Sequence, residues 1–166
     1  PRLVPAVARS VTAERQVVMW TRPLRPELFV ADRFPVFYIE TPHGAFYGFP
    51  EDPSRGFKIG KYHHRRQVTD PDEVDRTCSP EDEATLREGI VHYFPDANGP
   101  AAATSVCLFT NTPDEHFVID RLPDHPEVVV AGGFSGHGFK FCSVVGEMVA
   151  DLVLDSSSRR LDLFAI

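Results

Sequence analysis

Residues 35–49 read PVFYIETPHGAFYGF. Runs rich in β-branched and aromatic residues flank Pro42-His43-Gly44, and so short a connection between two strand-forming runs predicts a tight antiparallel hairpin. The same signature recurs upstream at 15–21 (RQVVMWT) and downstream at 57–63 (FKIGKYH), with 50–56 as a longer polar loop. These segments predict a sheet of short strands. Beyond an acidic stretch over 70–75, Ser79-Pro80-Glu81-Asp82 supplies an N-cap, a first-turn proline and early carboxylates that favour the helix dipole. A helix is predicted over 80–93, with Leu86, Ile90 and Tyr93 at helical spacing and Phe94-Pro95 closing it.

The second half opens on the turn Asn98-Gly99-Pro100 and continues with predicted strands at 104–110, 116–120 and 128–131. A last helix is predicted over 139–154, its apolar face formed by Val144, Val145, Met148, Val149 and Leu152. The layout is α+β: a mixed, largely antiparallel sheet with a few helices and no internal repeat.

Composition agrees with a globular chain. The 166 residues are 42% hydrophobic and 25% charged, with 15 prolines and 11 glycines that favour many short connections in one compact domain. A net charge of −7 without a basic stripe argues against nucleic acid as a partner. Apolar runs such as 128–131 fall far short of the roughly 20 residues a membrane helix needs, so no membrane association is expected. The start, Pro1-Arg2-Leu3-Val4-Pro5, reads as an interior cut. Cys78, Cys107 and Cys142 are odd in number and lack CxxC spacing, which speaks against a disulfide framework or a structural zinc and favours a reducing cytoplasm. Asp114, Glu115 and His116 are adjacent, and three successive strand residues cannot all face one ion, so no metal is expected.

Four patterns occur in one order: Phe46-Tyr47-Gly48-Phe49-Pro50; Lys58-Ile59-Gly60 followed by Tyr62-His63-His64; Cys107-Leu108-Phe109-Thr110 running into Thr112-Pro113-Asp114-Glu115-His116-Phe117; and Gly133-Phe134-Ser135-Gly136-His137-Gly138-Phe139-Lys140. Together, from about Gln16 onward, they resemble the monomeric sarcosine oxidase and N-methyltryptophan oxidase family, FAD-dependent amine oxidoreductases of the D-amino acid oxidase-like group. The resemblance implies the substrate domain of such a flavoprotein. The family's GxGxxG fingerprint is missing, because Gly133, Gly136 and Gly138 have the wrong spacing and no ribose-binding acidic residue follows. The Rossmann half is therefore expected as a partner, in cis or in trans. The 166 residues are read as one substrate-binding and catalytic half, of which about 116–154 would pack back on the FAD-binding domain. By themselves they are expected neither to oxidise amines nor to hold FAD tightly.

The resemblance also implies roles. Cys107 matches the cysteine joined covalently to the flavin, although a cysteine in an apolar strand is by itself more often a small buried hydrophobe. Lys140 matches a lysine that binds the substrate carboxylate, and Gly136, His137, Gly138, Phe139 and Lys140 fall where backbone N–H groups meet the flavin. A glycine-rich turn at a helix start is an anion-seeking nest in its own right. Lys58 matches the lysine at the flavin face that assists electron transfer to oxygen, and its alternation with Phe57 and Ile59 supports an inward orientation. An edge-strand lysine that discourages aggregation has the same pattern. His63 or His64 corresponds to an active-site histidine; one extra residue after Lys58 leaves the choice open, and strand parity places His64 on the face of Lys58. Tyr47 matches a tyrosine of the substrate pocket.

The implied reaction is oxidation of a secondary amine, an N-methyl amino acid of the sarcosine type, with oxygen reduced to hydrogen peroxide. The alternatives are a related flavin oxidase or dehydrogenase acting on cyclic imino acids, glycated amino acids or dimethylglycine, and a non-catalytic fragment or assembly subunit.

Overall fold

The structure is a computed structural model that describes residues 4–154 and 162–166. The chain divides into two compact units: Arg15–Leu108, and Phe109–Ile166 together with the residues up to Glu14.

The first unit is built on a six-stranded sheet comprising β1 (Thr12–Thr21), β2 (Phe37–Thr41), β3 (Gly44–Asp52), β4 (Gly56–Lys61), β5 (Gln67–Val68) and β6 (Ala101–Asn111). The order is β2-β3-β4-β1-β5, with β6 also pairing with β1. The predicted hairpin forms as β2 and β3, antiparallel from Thr41↔Gly44 to Phe37↔Gly48. Thr41 clamps its turn: its Oγ1 donates to the Gly44 carbonyl at 2.7 Å and accepts the His43 N–H at 3.1 Å. The polar loop expected over 50–56 is shorter than the sequence indicates. Strand β3 continues to Asp52 through a register shift after Phe49, and the Asp52 carboxylate then accepts the N–H groups of Ser54 and Arg55 at 2.8 and 3.0 Å to close the turn. In contrast, β4 stops at Lys61, because residues 62–65 form a turn in which the His64 N–H donates to the Lys61 carbonyl. Strand β5 carries only two residues and has no sequence signal of its own.

Helix α2 (Pro80–Tyr93) has the bounds its local code predicts. Ser79 and Asp82 form a reciprocal capping box, the Ser79 side chain accepting the Asp82 N–H and the Asp82 carboxylate accepting the Ser79 N–H. Leu86 and Ile90 press the helix onto Val17, Met19, Phe46, Phe57 and Ile59, all fully buried. Every second residue of β1 and β4 thus faces α2, and the residues between them face the other side of the sheet.

Asp82 does more than cap. Arg15 of β1 places both Nη atoms on its carboxylate, at 3.0 and 2.9 Å, while donating to the carbonyls of Asp75 and Thr77 at 3.0 and 2.7 Å. The Arg15 and Asp82 side chains are 9% and 1% exposed. His64 Nε2 adds a third contact at 3.0 Å. Burial alone would raise the Asp82 carboxyl, but the hydrogen bonds from Arg15, the Ser79 N–H and His64 outweigh it and hold the group well below the usual carboxylate range.

In the second unit, β7 (Val118–Leu122) and β8 (His125–Gly132) form an antiparallel hairpin, with a short helix, α1 (Pro5–Ala8), earlier in the chain. The strand expected from His116 starts at Val118. Glu115 has a left-handed φ of 61°, and Asp114 accepts the His116 N–H, which makes this segment a turn. The last helix, α3 (Cys142–Leu154), is preceded by a 3-10 turn at Phe139–Phe141, so the helix expected from residue 139 begins three residues later. Val144, Val145 and Met148 of its apolar face line a cavity of about 320 Å³ with Phe117 and Ile119, and no residue of α3 is itself buried.

The Asp82 cluster sets the acid sensitivity of the first unit. His64 is pushed below its ordinary value of 6.5, chiefly by burial, with Asp82 pulling the other way. Both groups bind protons more readily unfolded than folded. The His64 contribution is therefore complete above about pH 6.5 and declines below it, and the Asp82 contribution declines below about pH 3.8. Asp82→Asn is expected to lower stability by about 3–5 kcal/mol at neutral pH, because it strands the buried Arg15 charge. Urea unfolding of the variant should also show a flatter dependence on pH in the acid range.

Candidate functional site

On the side of the sheet away from α2, direct cross-strand pairing builds two rows. Phe49, Lys58 and Trp20 are opposite one another on β3, β4 and β1, and Tyr47, Gly60 and Val18 form the next row. The Lys58 ammonium sits 5.2 Å from the Trp20 ring centre and 5.0 Å from that of Phe49. Among the described residues it has no carboxylate partner. Aromatic faces compensate only part of the hydration a lysine loses on half-burial, so this cation is suited to an anionic or electron-rich neighbour.

Gly60 is what admits Tyr47. A Cβ at position 60 would lie 2.5 Å from Tyr47 Cζ, so any side chain there displaces the ring. Burial, and to a lesser degree Cys107, holds the Tyr47 phenol above its ordinary range, so it stays a neutral hydroxyl. Cys107 of β6 faces the same side, since its neighbour Val106 enters the core beneath α2. Its thiol is half-buried and unpaired with any other cysteine. Burial pushes the thiol pKa up, while the charges of Lys58 and Arg76 draw it back. Lys58, Tyr47 and Cys107 are thus brought together on one face.

His64 is not with them. Strand parity fails because β4 ends at Lys61 and the turn carries the His64 ring to the α2 side, onto Asp82. His63 lies in the same turn, with φ 54°, partly exposed and with its ring 4.5 Å from that of Tyr62.

The glycine-rich turn belongs to the second unit. The Ser135 N–H donates to the Thr110 carbonyl at 2.9 Å, and Ser135 Oγ accepts the Thr112 N–H at 3.2 Å. Gly136 has φ 77°, and a Cβ there would lie 2.4 Å from the Phe109 ring, so glycine is required on both counts. The His137 N–H already donates to the Phe134 carbonyl at 2.9 Å, and the His137 carbonyl accepts from Lys140 Nζ at 3.1 Å. Gly138, Phe139 and Lys140 follow at the 3-10 turn, with Phe139 92% exposed and the Lys140 ammonium over the Phe141 ring. The turn is hydrogen-bonded at its start and exposed at its end.

Two site features escape a linear reading. Trp20 and Phe49 belong with Lys58 only through strand register, and the small residue at position 60 is the one trace of Tyr47's orientation. Among the described residues no group of histidines, cysteines and carboxylates converges on a metal position, and no helix is long and apolar enough to cross a membrane.

The chain belongs to the family of FAD-dependent oxidoreductases of the D-amino acid oxidase (DAO) type, whose pattern it matches over residues 1–152. It is 51% identical over 136 residues to monomeric sarcosine oxidase of Bacillus sp. (strain NS-129), covering 80% of this chain and 35% of that protein. To N-methyl-L-tryptophan oxidase of Salmonella dublin it is 34% identical over 158 residues, covering 84% and 42% respectively. The chain thus spans well under half the length of these relatives. Its fold is similar to that of part of fructosyl amine:oxygen oxidoreductase (Amadoriase I) from Aspergillus fumigatus, with a TM-score of 0.75 at 21% identity over 94% of this chain and 38% of that one. The fold class expected from the sequence, α+β with antiparallel sheets, is that of these flavoprotein oxidases.

The residues of the first unit fit such a cofactor. A cation without an anionic partner, a neutral phenol and a half-buried thiol border one face, where a flat ring that gains negative charge would be accommodated. The Lys58–Cys107 coupling can be measured directly. Lys58→Met removes a charge that favours the thiolate, so Cys107 should titrate at higher pH. Peptide-resolved alkylation at mildly alkaline pH should then be several-fold slower at Cys107 and unchanged at Cys78.

Proposed function

We propose that this chain is the substrate-side part of an FAD-dependent oxidase of secondary amines, with N-methyl amino acids as the substrate class and oxygen as the acceptor. The observation that carries this reading is the Phe49–Lys58–Trp20 row with Cys107 and Tyr47 beside it, an uncompensated cation next to a thiol on one sheet face. The similarity to sarcosine and N-methyltryptophan oxidases supports the substrate class. Bound FAD would supply the two-electron oxidation of the amine and the transfer of those electrons to oxygen.

The chain's own residues have separate tasks. Cys107 would hold the cofactor, with its Sγ as the covalent attachment point. Lys58 stabilises negative charge at the ring face, and its confinement between two aromatic rings keeps the ammonium in place without a competing carboxylate. Tyr47, kept neutral by burial, offers a ring and a hydroxyl to the amine. His64 is engaged by Asp82, which leaves His63 to face the substrate. Lys140 binds the substrate carboxylate as a compact point charge. Backbone N–H groups of Gly136, Gly138 and Phe139 would stabilise negative charge on the bound cofactor, the His137 N–H being already bonded within the turn. The stretch 116–154 packs against an FAD-binding part supplied in cis or in trans.

Cys107→Ser in the complete protein should abolish covalent flavin, so that flavin fluorescence no longer travels with the polypeptide on a denaturing gel; persistence of that signal would reject the attachment site. Lys140→Met should raise KM for an N-methyl amino acid by about tenfold to a hundredfold, the loss of a charged hydrogen bond worth about 1.5–3 kcal/mol. KM for the corresponding amine without a carboxylate should not move.

A further inference from the structure

Beside the β2–β3 hairpin and the end of β4 lies an open depression of about 570 Å³. Its lining includes His43, Lys61, His64, Arg65 and Arg66, and no aspartate or glutamate. Such a concentration of cations is unexpected in a chain whose net charge is −7. We propose that this depression binds the phosphate group of a small phosphorylated ligand.

Three observations support the assignment. The cations are weakly compensated: Lys61 Nζ is 3.4 Å from Glu88, and Arg65 Nη1 is 3.5 Å from an Asp82 carboxylate already held more closely by Arg15 and His64. Arg66 makes no side-chain hydrogen bond or ion pair among the described residues. The backbone is also committed. His63 and Arg66 have φ of 54° and 53°, a conformation that bulky side chains adopt only where the surroundings fix it. This turn holds two adjacent arginines at one edge of the depression.

The third observation selects phosphate over carboxylate. His64 Nε2 lies 3.0 Å from the ionised Asp82, so it carries the proton and donates, which makes Nδ1 the acceptor. Nδ1 is buried and has no partner. An oxyanion that also carries a hydroxyl donor, as hydrogen phosphate does, supplies the missing proton while its other oxygens meet the guanidinium groups. A carboxylate near neutral pH offers acceptors only. The site is separate from the face that bears Cys107, because the Lys61 ammonium lies over the Phe46 ring on the α2 side. His63 also borders the depression, but the assignment does not rest on the oxidase reading.

The test is calorimetric titration of the full protein at constant ionic strength with inorganic phosphate, pyrophosphate or tricarballylate, a tricarboxylate without a hydroxyl. Saturable binding of phosphate and pyrophosphate, with tricarballylate markedly weaker, is the expected result. Arg66→Asn keeps a residue that tolerates the left-handed conformation, so thermal unfolding should be unchanged while phosphate affinity falls about tenfold, the loss of one charge-assisted contact. Lys61→Gln should act in the same direction. No saturation at millimolar phosphate, equal affinity for tricarballylate, or unchanged phosphate binding in both variants would each overturn the proposal.

Discussion

The first unit depends on one carboxylate. Asp82 is the N3 residue of a helix, the acceptor of a capping box, the partner of a guanidinium from the neighbouring sheet and the anchor of a histidine beyond β4. An ion this deeply buried is stable only when its lone pairs are filled by well-placed donors, and here they are. The Arg15 guanidinium completes the arrangement through two backbone carbonyls of the segment that leads into the helix. The start of α2, the end of β4 and β1 therefore share a single fixed point, and the apolar contacts of Leu86 and Ile90 follow from the orientation it sets.

With α2 fixed on one side, strand alternation assigns everything else. Phe57 and Ile59 enter the core while Lys58 faces the other way, and Val106 and Cys107 divide in the same manner. The candidate site is the complement of the core, a consequence of the two-residue period of the strands. Its chemistry is set by what is absent from it: among the described residues no carboxylate partners Lys58, whose ammonium lies between two aromatic rings.

Local signals were legible in the sequence, and long-range ones were not. The bounds of α2 could be read because a cap, a proline and apolar residues at helical spacing all lie within 14 residues. The β2–β3 hairpin was equally local. Cys107, Lys58 and Tyr47 were singled out by family resemblance, whereas their common face depends on strand register, which no single segment encodes. The choice between His63 and His64 is open in the sequence, because strand parity holds only as far as Lys61 and what ends β4 is a turn stabilised by a contact to residue 82. Division into two units was also invisible, since β1 and β6 are uninterrupted strands in which the boundary leaves no compositional trace.

The separation of Arg15 from Asp82 along the chain has a consequence for how the unit assembles. The two are 67 residues apart, so their pairing closes a long loop against chain entropy, whereas the capping box and the β2–β3 hairpin form from neighbours. Helix and hairpin can therefore appear early, with the guanidinium and carboxylate still hydrated. Dehydrating the pair belongs to a late step on the folding path, and a chain interrupted before that step would have native local structure without the native dependence of stability on acid.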